Sequence, residues 1–298
     1  CNINLVTDLG LDLYSNINTL IDDINSVERH IPSKWEWLDN CLGGGFLEAG
    51  KSLYVFAGET NIGKSIFLGN VAHNIATEGK NVLLVTLEMS ELLYARRICT
   101  NVTKVPMKEL VGNTPAIKQA ISEEKGKIFI KEFPPATITP NQLKGFIKKF
   151  QEQGIELDAI ILDYLNLMHS TMGNNSYERI KHVTEQVRAM SYLFNCPIIS
   201  ATQLNRAGFD TDNPDLATIS ESIGLAATAD VICSIFQNEE DRELGIIRLG
   251  MMKNRYGPRG ATQAMRIDYS TLSIEEADDI EFEDDSMETL STLAGLAS

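Results

Sequence analysis

Apolar side chains recur along this chain with two periods, and the alternation between them is the main organising signal. Continuous aliphatic and aromatic runs predict strands at Ser52–Ala57, Asn81–Thr86, Lys127–Phe133, Ala159–Asp163, Pro197–Thr202, Val231–Phe236, Gly245–Met252 and Ala264–Tyr269. Between them, apolar positions three and four apart predict helices at Lys64–Thr77, Glu91–Asn101, Ala116–Glu124, Asn141–Gln153, Tyr177–Phe194 and Glu221–Ala227. Strands that are apolar at every position are buried on both faces, as in parallel sheets covered by helices. Early βα alternation followed by late strands therefore predicts an α/β fold, with a mostly parallel twisted sheet flanked by helices and antiparallel edge strands.

Two segments stand apart from this alternation. Leu13, Ile17, Leu20, Ile21, Ile24 and Val27 fall on one face of a helix over 11–28. That face either packs on its own domain or docks on a neighbouring subunit. The stretch His30–Gly50, with Pro32, Gly43-Gly44-Gly45 and Gly50, reads as a connector.

Composition narrows the class. A chain of 298 residues with 43% hydrophobic content suffices for one large core with small appendages. No run of about 18 apolar residues exists to span a membrane, and no secretory signal is evident. The chain starts at Cys1 rather than Met, so an upstream part is expected to be absent. The five scattered cysteines lack CxxC spacing and read as reduced thiols of a cytoplasmic protein. The net charge of −15 argues against a generally basic, DNA-coating surface. Nine of the acids lie from Glu275 onwards with no basic residue among them, and without these the balance is −6. An acidic tail over 273–298 is expected to be disordered and solvated. Any nucleic-acid contact must come from a local cluster.

The most specific motif is Gly58-Glu59-Thr60-Asn61-Ile62-Gly63-Lys64-Ser65, which satisfies GxxxxGK[ST] between a predicted strand and a predicted helix. Its glycines let backbone N–H groups face phosphate oxygens, and the helix N-terminus adds its positive end. Lys64 is expected to reach the β- and γ-phosphates of ATP, and Ser65 to ligate Mg²⁺. Ala159-Ile160-Ile161-Leu162-Asp163 is an apolar strand ending in an acid, and Asp163 is the expected second metal carboxylate. Glu88 ends another apolar strand; it either activates the attacking water or caps the helix signalled by Ser90. Gln203 ends a third, as a γ-phosphate sensor or an ordinary loop glutamine. Lys253 and Arg255, two apart at a strand end, share a face. They suit a phosphate reached across a subunit boundary, or form a solvated surface pair.

Together these segments resemble the DnaB-like replicative DNA helicases, particularly the T-even bacteriophage branch, whose motor is a RecA-like P-loop NTPase core. The likeness runs from about His30 to Tyr269. It is carried by Gly58–Ser65, Leu87-Glu88-Met89-Ser90, Asp163-Tyr164-Leu165, Thr202-Gln203-Leu204-Asn205-Arg206, the stretch from Glu221-Ser222 to Ala229-Asp230, and Lys253-Asn254-Arg255-Tyr256-Gly257. The resemblance implies that Glu88 activates water, that Gln203 couples nucleotide state to DNA, and that Lys253 and Arg255 complete a neighbour's site. It also implies a hexameric ring moving 5′ to 3′ on single-stranded DNA, a linker helix within 1–30 docked on the next subunit, a motor domain over 31–272, and primase and loader partners. For a phage protein the compartment is the host cytoplasm.

DNA is expected at loops on the carboxyl edge of the sheet, with Arg179, Lys181, Arg206, Glu221 and Gly224 as candidates. Ser220 stands where bacterial relatives carry an arginine, so backbone near Glu221 to Gly224 is the substitute expectation. Two other readings stay open: a recombinase-like ATPase forming filaments on the same fold, and an assembly module in which nucleotide is held without hydrolysis.

Overall fold

A computed structural model describes residues 28–277 except Glu124, Thr171, Asn174 and 205–222, together with Tyr14 and Ile21. Most of the helix expected over 11–28, Arg206, Glu221 and the acidic stretch beyond 277 lie outside the described residues. In chain order the elements are β1 (His30–Ile31), α1 (Glu36–Leu42), β2 (Phe46–Leu47), β3 (Leu53–Gly58), α2 (Lys64–Thr77), β4 (Asn81–Thr86), α3 (Glu91–Thr103), α4 (Thr114–Ser122), β5 (Lys127–Glu132) and α5 (Pro140–Glu152). There follow β6 (Ala159–Asp163), α6 (Ser176–Phe194), β7 (Ile198–Gln203), α7 (Ile223–Thr228), β8 (Val231–Phe236), α8 (Glu239–Leu244), β9 (Ile246–Asn254), β10 (Thr262–Asp268) and β11 (Ser273–Glu276).

Nine of these strands form one sheet in the order β11-β10-β9-β8-β3-β7-β6-β4-β5. From β8 to β5 every pairing is parallel. From β8 to β11 every pairing is antiparallel. Alternation along the strands splits the core into two layers. On one face Tyr54, Phe56, Val82, Leu84, Ile161 and Ile199 pack under Phe67, Val71 and Ile75 of α2. On the other, Leu53, Val55, Leu83, Val85, Ile160 and Leu162 pack under Leu143 and Ile147 of α5 and Val183 and Val187 of α6. Burial on both sides is why these strands read as unbroken apolar runs. No described helix is long and apolar enough to cross a membrane.

Two expectations are corrected. The stretch His30–Gly50 is no mere connector, because Ile31, Trp35, Leu38, Leu42 and Phe46 are buried in the first core layer. Trp35 stacks on Phe67 with ring centroids 4.8 Å apart. The glycines that suggested a loop instead end α1 and admit β1: Gly43 adopts φ 76°, and a Cβ on Gly45 would collide with the Ile31 carbonyl. Nor is the stretch from 273 all disordered tail, since Ser273–Glu276 pair with β10 as the edge strand. Glu276 does not belong to a solvated acidic run. Its carboxylate accepts the backbone N–H groups of Glu36 at 3.0 Å and Trp37 at 2.7 Å, at the start of α1. A carboxylate there satisfies orphan donors and opposes the positive helix end.

Phe67 touches Trp35 and lies 4.4 Å, centroid to centroid, from Phe56, so it ties α2 to β3 and α1. Phe67→Ala is expected to cost about 3–5 kcal/mol in a urea unfolding titration. His73 on α2 is held neutral by burial, with Lys104 and Lys34 adding repulsion, and its pKa falls from 6.5 to about 4. The unfolded chain takes up a proton that the fold refuses, so stability is lost as pH drops through 6.5 towards about 4. The unfolding midpoint should fall across that window, and His73→Gln should flatten the fall.

Candidate active site

The loop from Gly58 to Ser65 joins the carboxyl end of β3 to α2. Its first glycine lies against β8, where a Cβ would sit 2.9 Å from the Ile235 carbonyl oxygen. Two later residues take left-handed backbone, Asn61 at φ 65° and Gly63 at φ 102°. Gly63 is the N-cap of α2 and offers no side chain to the helix's first N–H groups. A 14-residue helix thus begins with uncapped donors and its positive end facing the loop, which suits an anion. Lys64 folds back over the loop, donating to the Gly58 carbonyl at 3.0 Å and to the Glu59 carbonyl. Burial lowers its pKa, while Glu88, Asp163 and Glu59 pull the other way. These acids mark the centre of the site.

Asp163 ends β6 and is fully buried. Its Oδ2 lies 3.1 Å from the Tyr94 hydroxyl, which is also 3.0 Å from the Ser65 carbonyl. Its Oδ1 has no hydrogen-bond partner among the described residues. Burial pushes the Asp163 pKa up, against the Ser65 and Tyr94 hydroxyls, which lower it. A buried carboxylate oxygen without a donor is costly unless something else meets it. A hard divalent cation shared with the Ser65 hydroxyl would meet it, so these residues fit Mg²⁺. The peptide between Asp163 and Tyr164 is cis.

Glu88 follows β4 at the same edge, for Thr86 lies opposite Asp163 in the β4–β6 register. The Leu87 N–H donates to the Asp163 carbonyl at 2.8 Å, carrying the pairing past the strand end. Ser90 caps α3 by accepting the Leu93 N–H at 3.3 Å, so Glu88 does not serve as the cap. Its carboxylate is exposed and acts electrostatically on Lys64, Tyr94 and Asp163. Gln203 ends β7 opposite Gly58 in register and donates to the Thr60 hydroxyl at 2.9 Å. It thus touches the phosphate loop itself.

Lys253 and Arg255 lie elsewhere. In the β8–β9 register Asn254 is opposite Val231, and in the β3–β8 register Val231 is opposite Tyr54, at the start of β3. The phosphate loop leaves the far end of the same strand, about 15 Å away at the rise of a β-strand. Lys253 donates to the carbonyls of Ala226 (2.7 Å), Ala227 (3.2 Å) and Ala229 (2.7 Å) at the end of α7. Burial lowers its pKa, and Arg255 adds to that effect. Arg255 donates from Nη1 to Asp230 Oδ1 at 2.9 Å. Within one chain, then, the fold gathers Lys64, Ser65, Asp163, Glu88 and Gln203 but holds the two cations at the opposite edge.

The expected DNA residues are less tightly grouped. Arg179 and Lys181 occupy the exposed first turns of α6, which follows β6. Arg179 donates to the Gly173 carbonyl at 3.3 Å, and Lys181 lies 4.0 Å from Glu185. Gly224 is buried, and a Cβ there would come within 2.7 Å of Lys181 Cβ, so packing of α7 on α6 accounts for the glycine. Sequence reasoning passed over Tyr94 and Arg188 and gave Asp230, which closes one of the stretches carrying the resemblance, no role. Tyr94 carries only the signal of an aromatic on the apolar face of α3. Asp230 carries that of an acid directly before a buried strand.

The model of the DnaB-like helicase C terminal domain matches residues 30–272. A DnaB-like replicative helicase of Enterobacteria phage T4 is 27% identical over 244 residues, 78% of this chain and 51% of the relative. A replicative DNA helicase DnaB of Geobacillus stearothermophilus is 26% identical over 274 residues, 87% of this chain and 59% of the relative. The chain thus spans about half the length of the curated relatives it matches. Among solved structures, one described as an ATPase domain superposes with a TM-score of 0.76 at 19% identity, covering 90% of this chain and all of that one. A DnaB-like replicative helicase described with its interactions with primase gives the same score and identity, covering 90% of this chain and 69% of its own. These two likenesses establish the fold, and the match over residues 30–272 establishes the family: the chain belongs to the DnaB-like helicase C terminal domain family.

Proposed function

We propose that the chain is the ATP-hydrolysing motor of a replicative DNA helicase, working as a hexameric ring that moves 5′ to 3′ on single-stranded DNA. The observation that carries this reading is the separation of Lys253 and Arg255 from the phosphate loop. Cations at the far edge of the sheet cannot serve their own chain's nucleotide. They can serve that of the next copy in a closed ring, as an arginine finger does. Helicase relatives support unwinding over filament formation, and the exposed Glu88 beside Lys64 supports hydrolysis over mere assembly.

On this reading Lys64 leaves the Gly58 and Glu59 carbonyls for the β- and γ-phosphates. The loop from Gly58 to Gly63 and the uncapped start of α2 supply N–H donors to the remaining oxygens. Ser65 and Asp163 hold Mg²⁺, which when bound neutralises charge developing on the phosphates. Glu88 orients and deprotonates the attacking water. Gln203 passes the state of the γ-phosphate, through Thr60, to β7 and the stretch that follows it. Arg179, Lys181 and Arg206, with backbone near Glu221 and Gly224, serve as the DNA-facing set. Release of the γ-phosphate frees the neighbour's Lys253 and Arg255, and that released interface shifts the DNA loops. A linker helix within 1–30 docks on the adjoining subunit, and primase and a loader are the further partners.

Lys64→Ala should reduce phosphate release in the presence of single-stranded DNA by at least about a hundredfold, since it removes charge aimed at the transferring group. Arg255→Ala should be equally inactive alone, but only because it fails its neighbour. Mixing Arg255→Ala with Glu88→Ala subunits creates some interfaces with both groups intact, so turnover should reappear. Absence of turnover at every mixing ratio would rule out a site built from two subunits.

A further inference from the structure

Asp230, between α7 and β8, is 1% exposed, yet its two oxygens receive four donors. Arg188 of α6 binds both, with Nε on Oδ2 and Nη2 on Oδ1, each at 2.9 Å. The Leu53 N–H, at the start of β3, reaches Oδ2 at 2.9 Å. Arg255 contributes one bond, from Nη1 to Oδ1. The two arginines are held differently. The Arg188 side chain is 25% exposed, forked onto the carboxylate, with its guanidinium 5.3 Å from the Tyr192 ring centroid. The Arg255 side chain is 48% exposed and attached at a single point. Its backbone is anchored separately, through the Arg255 N–H on the Asp230 carbonyl at 3.2 Å.

We propose that Asp230 and Arg188 form a latch that positions Arg255. The carboxylate holds the Arg255 guanidinium in waiting, and Arg188 keeps that carboxylate neutralised once the guanidinium leaves for a phosphate on the adjoining protomer. This rests on the shared-site reading above. A buried carboxylate cannot readily surrender its only counter-charge, because the ion left behind is uncompensated. Here it need not: with Arg255 gone, the two-point Arg188 pair and the Leu53 N–H still satisfy both oxygens. Arg255 is thereby the detachable partner, pivoting from a fixed backbone. Asp230 and Arg188 lie at the edge away from their own phosphate loop and are positioning residues.

The test is Arg188→Gln in the full chain. Arg255 then becomes the sole guanidinium on a buried carboxylate and is retained there. DNA-stimulated kcat should fall about tenfold or more with KM for ATP little changed, the pattern of a group acting in the transition state. Adding Asp230→Asn removes the charge that traps Arg255 and should restore kcat to within about threefold of the unmodified chain. Arg188→Gln mixed with Glu88→Ala should regain turnover, because the defect acts on the neighbour. If the double variant is no faster than Arg188→Gln while both keep the parent melting temperature and nucleotide binding, the latch is overturned. Should Arg188→Gln fail to fold, Arg188→Lys decides, since it keeps a charge without the fork. A kcat loss that Asp230→Asn relieves supports the latch, and one that it leaves or deepens refutes it. The mixture of Arg255→Ala with Glu88→Ala is the control. If it recovers turnover and the Arg188→Gln mixture does not, the latch alone falls; if it recovers none, the shared site falls and takes the latch with it.

Discussion

Parallel pairing imposes direction. Strands β3, β4, β6 and β7 all run the same way, with crossover helices between successive members, so their carboxyl ends lie along one edge. Gly58, Asp163 and Gln203 end strands that are otherwise mostly apolar, and Glu88 follows two residues after a fourth. The sheet interior admits only small hydroxyl side chains such as Ser200, Thr202 and Ser234 beside its apolar ones, because helices cover both faces. Chemistry is therefore displaced to where the strands stop, and what collects there is a metal carboxylate, a second acid, an amide and a phosphate loop. The antiparallel hairpins from β8 to β11 reverse this direction. Strand β9 returns to the opposite edge and delivers Lys253 and Arg255 there. One change of strand direction thus divides the ionic groups between two ends of the molecule.

The two most deeply buried acids of interest have opposite deficits. Asp163 has one oxygen without a donor and a pKa raised by burial, a site short of positive charge. Asp230 has two guanidinia and a backbone N–H on one carboxylate, a site with positive charge to spare. In a ring of the kind proposed above, the edge of one copy that carries the phosphate loop would meet the edge of the next that can lend further cations. Such complementarity favours head-to-tail association, in which different patches of identical chains meet.

Much of this was legible in the sequence where a single physical rule dominated. The unbroken runs at Asn81–Thr86, Ala159–Asp163 and Val231–Phe236 match the strands to the residue, because burial on both faces leaves one composition available. The phosphate loop was legible because backbone geometry demands glycine at set positions. Short elements were not. Strands β1 and β2 have two residues each and α1 seven, too few for a period to emerge beside Pro32 and three glycines. Glu276 was hidden among acids of similar appearance, since its role depends on backbone donors 240 positions away. Arg188 and Asp230 are 42 residues apart and meet only through the docking of α6 on the sheet. The candidate cations were legible as a pair, but their distance from the loop needed the topology.

The contacts between the beginning and the end of the folded body reach beyond stability. Trp35 donates its indole N–H to the Ile274 carbonyl at 3.1 Å, and Glu276 holds the two amides that follow Trp35. Backbone entering the domain and backbone leaving it are fastened to each other at one corner. With entry and exit held side by side, chain joined at either point need not disturb the strand order that generates the domain's chemistry.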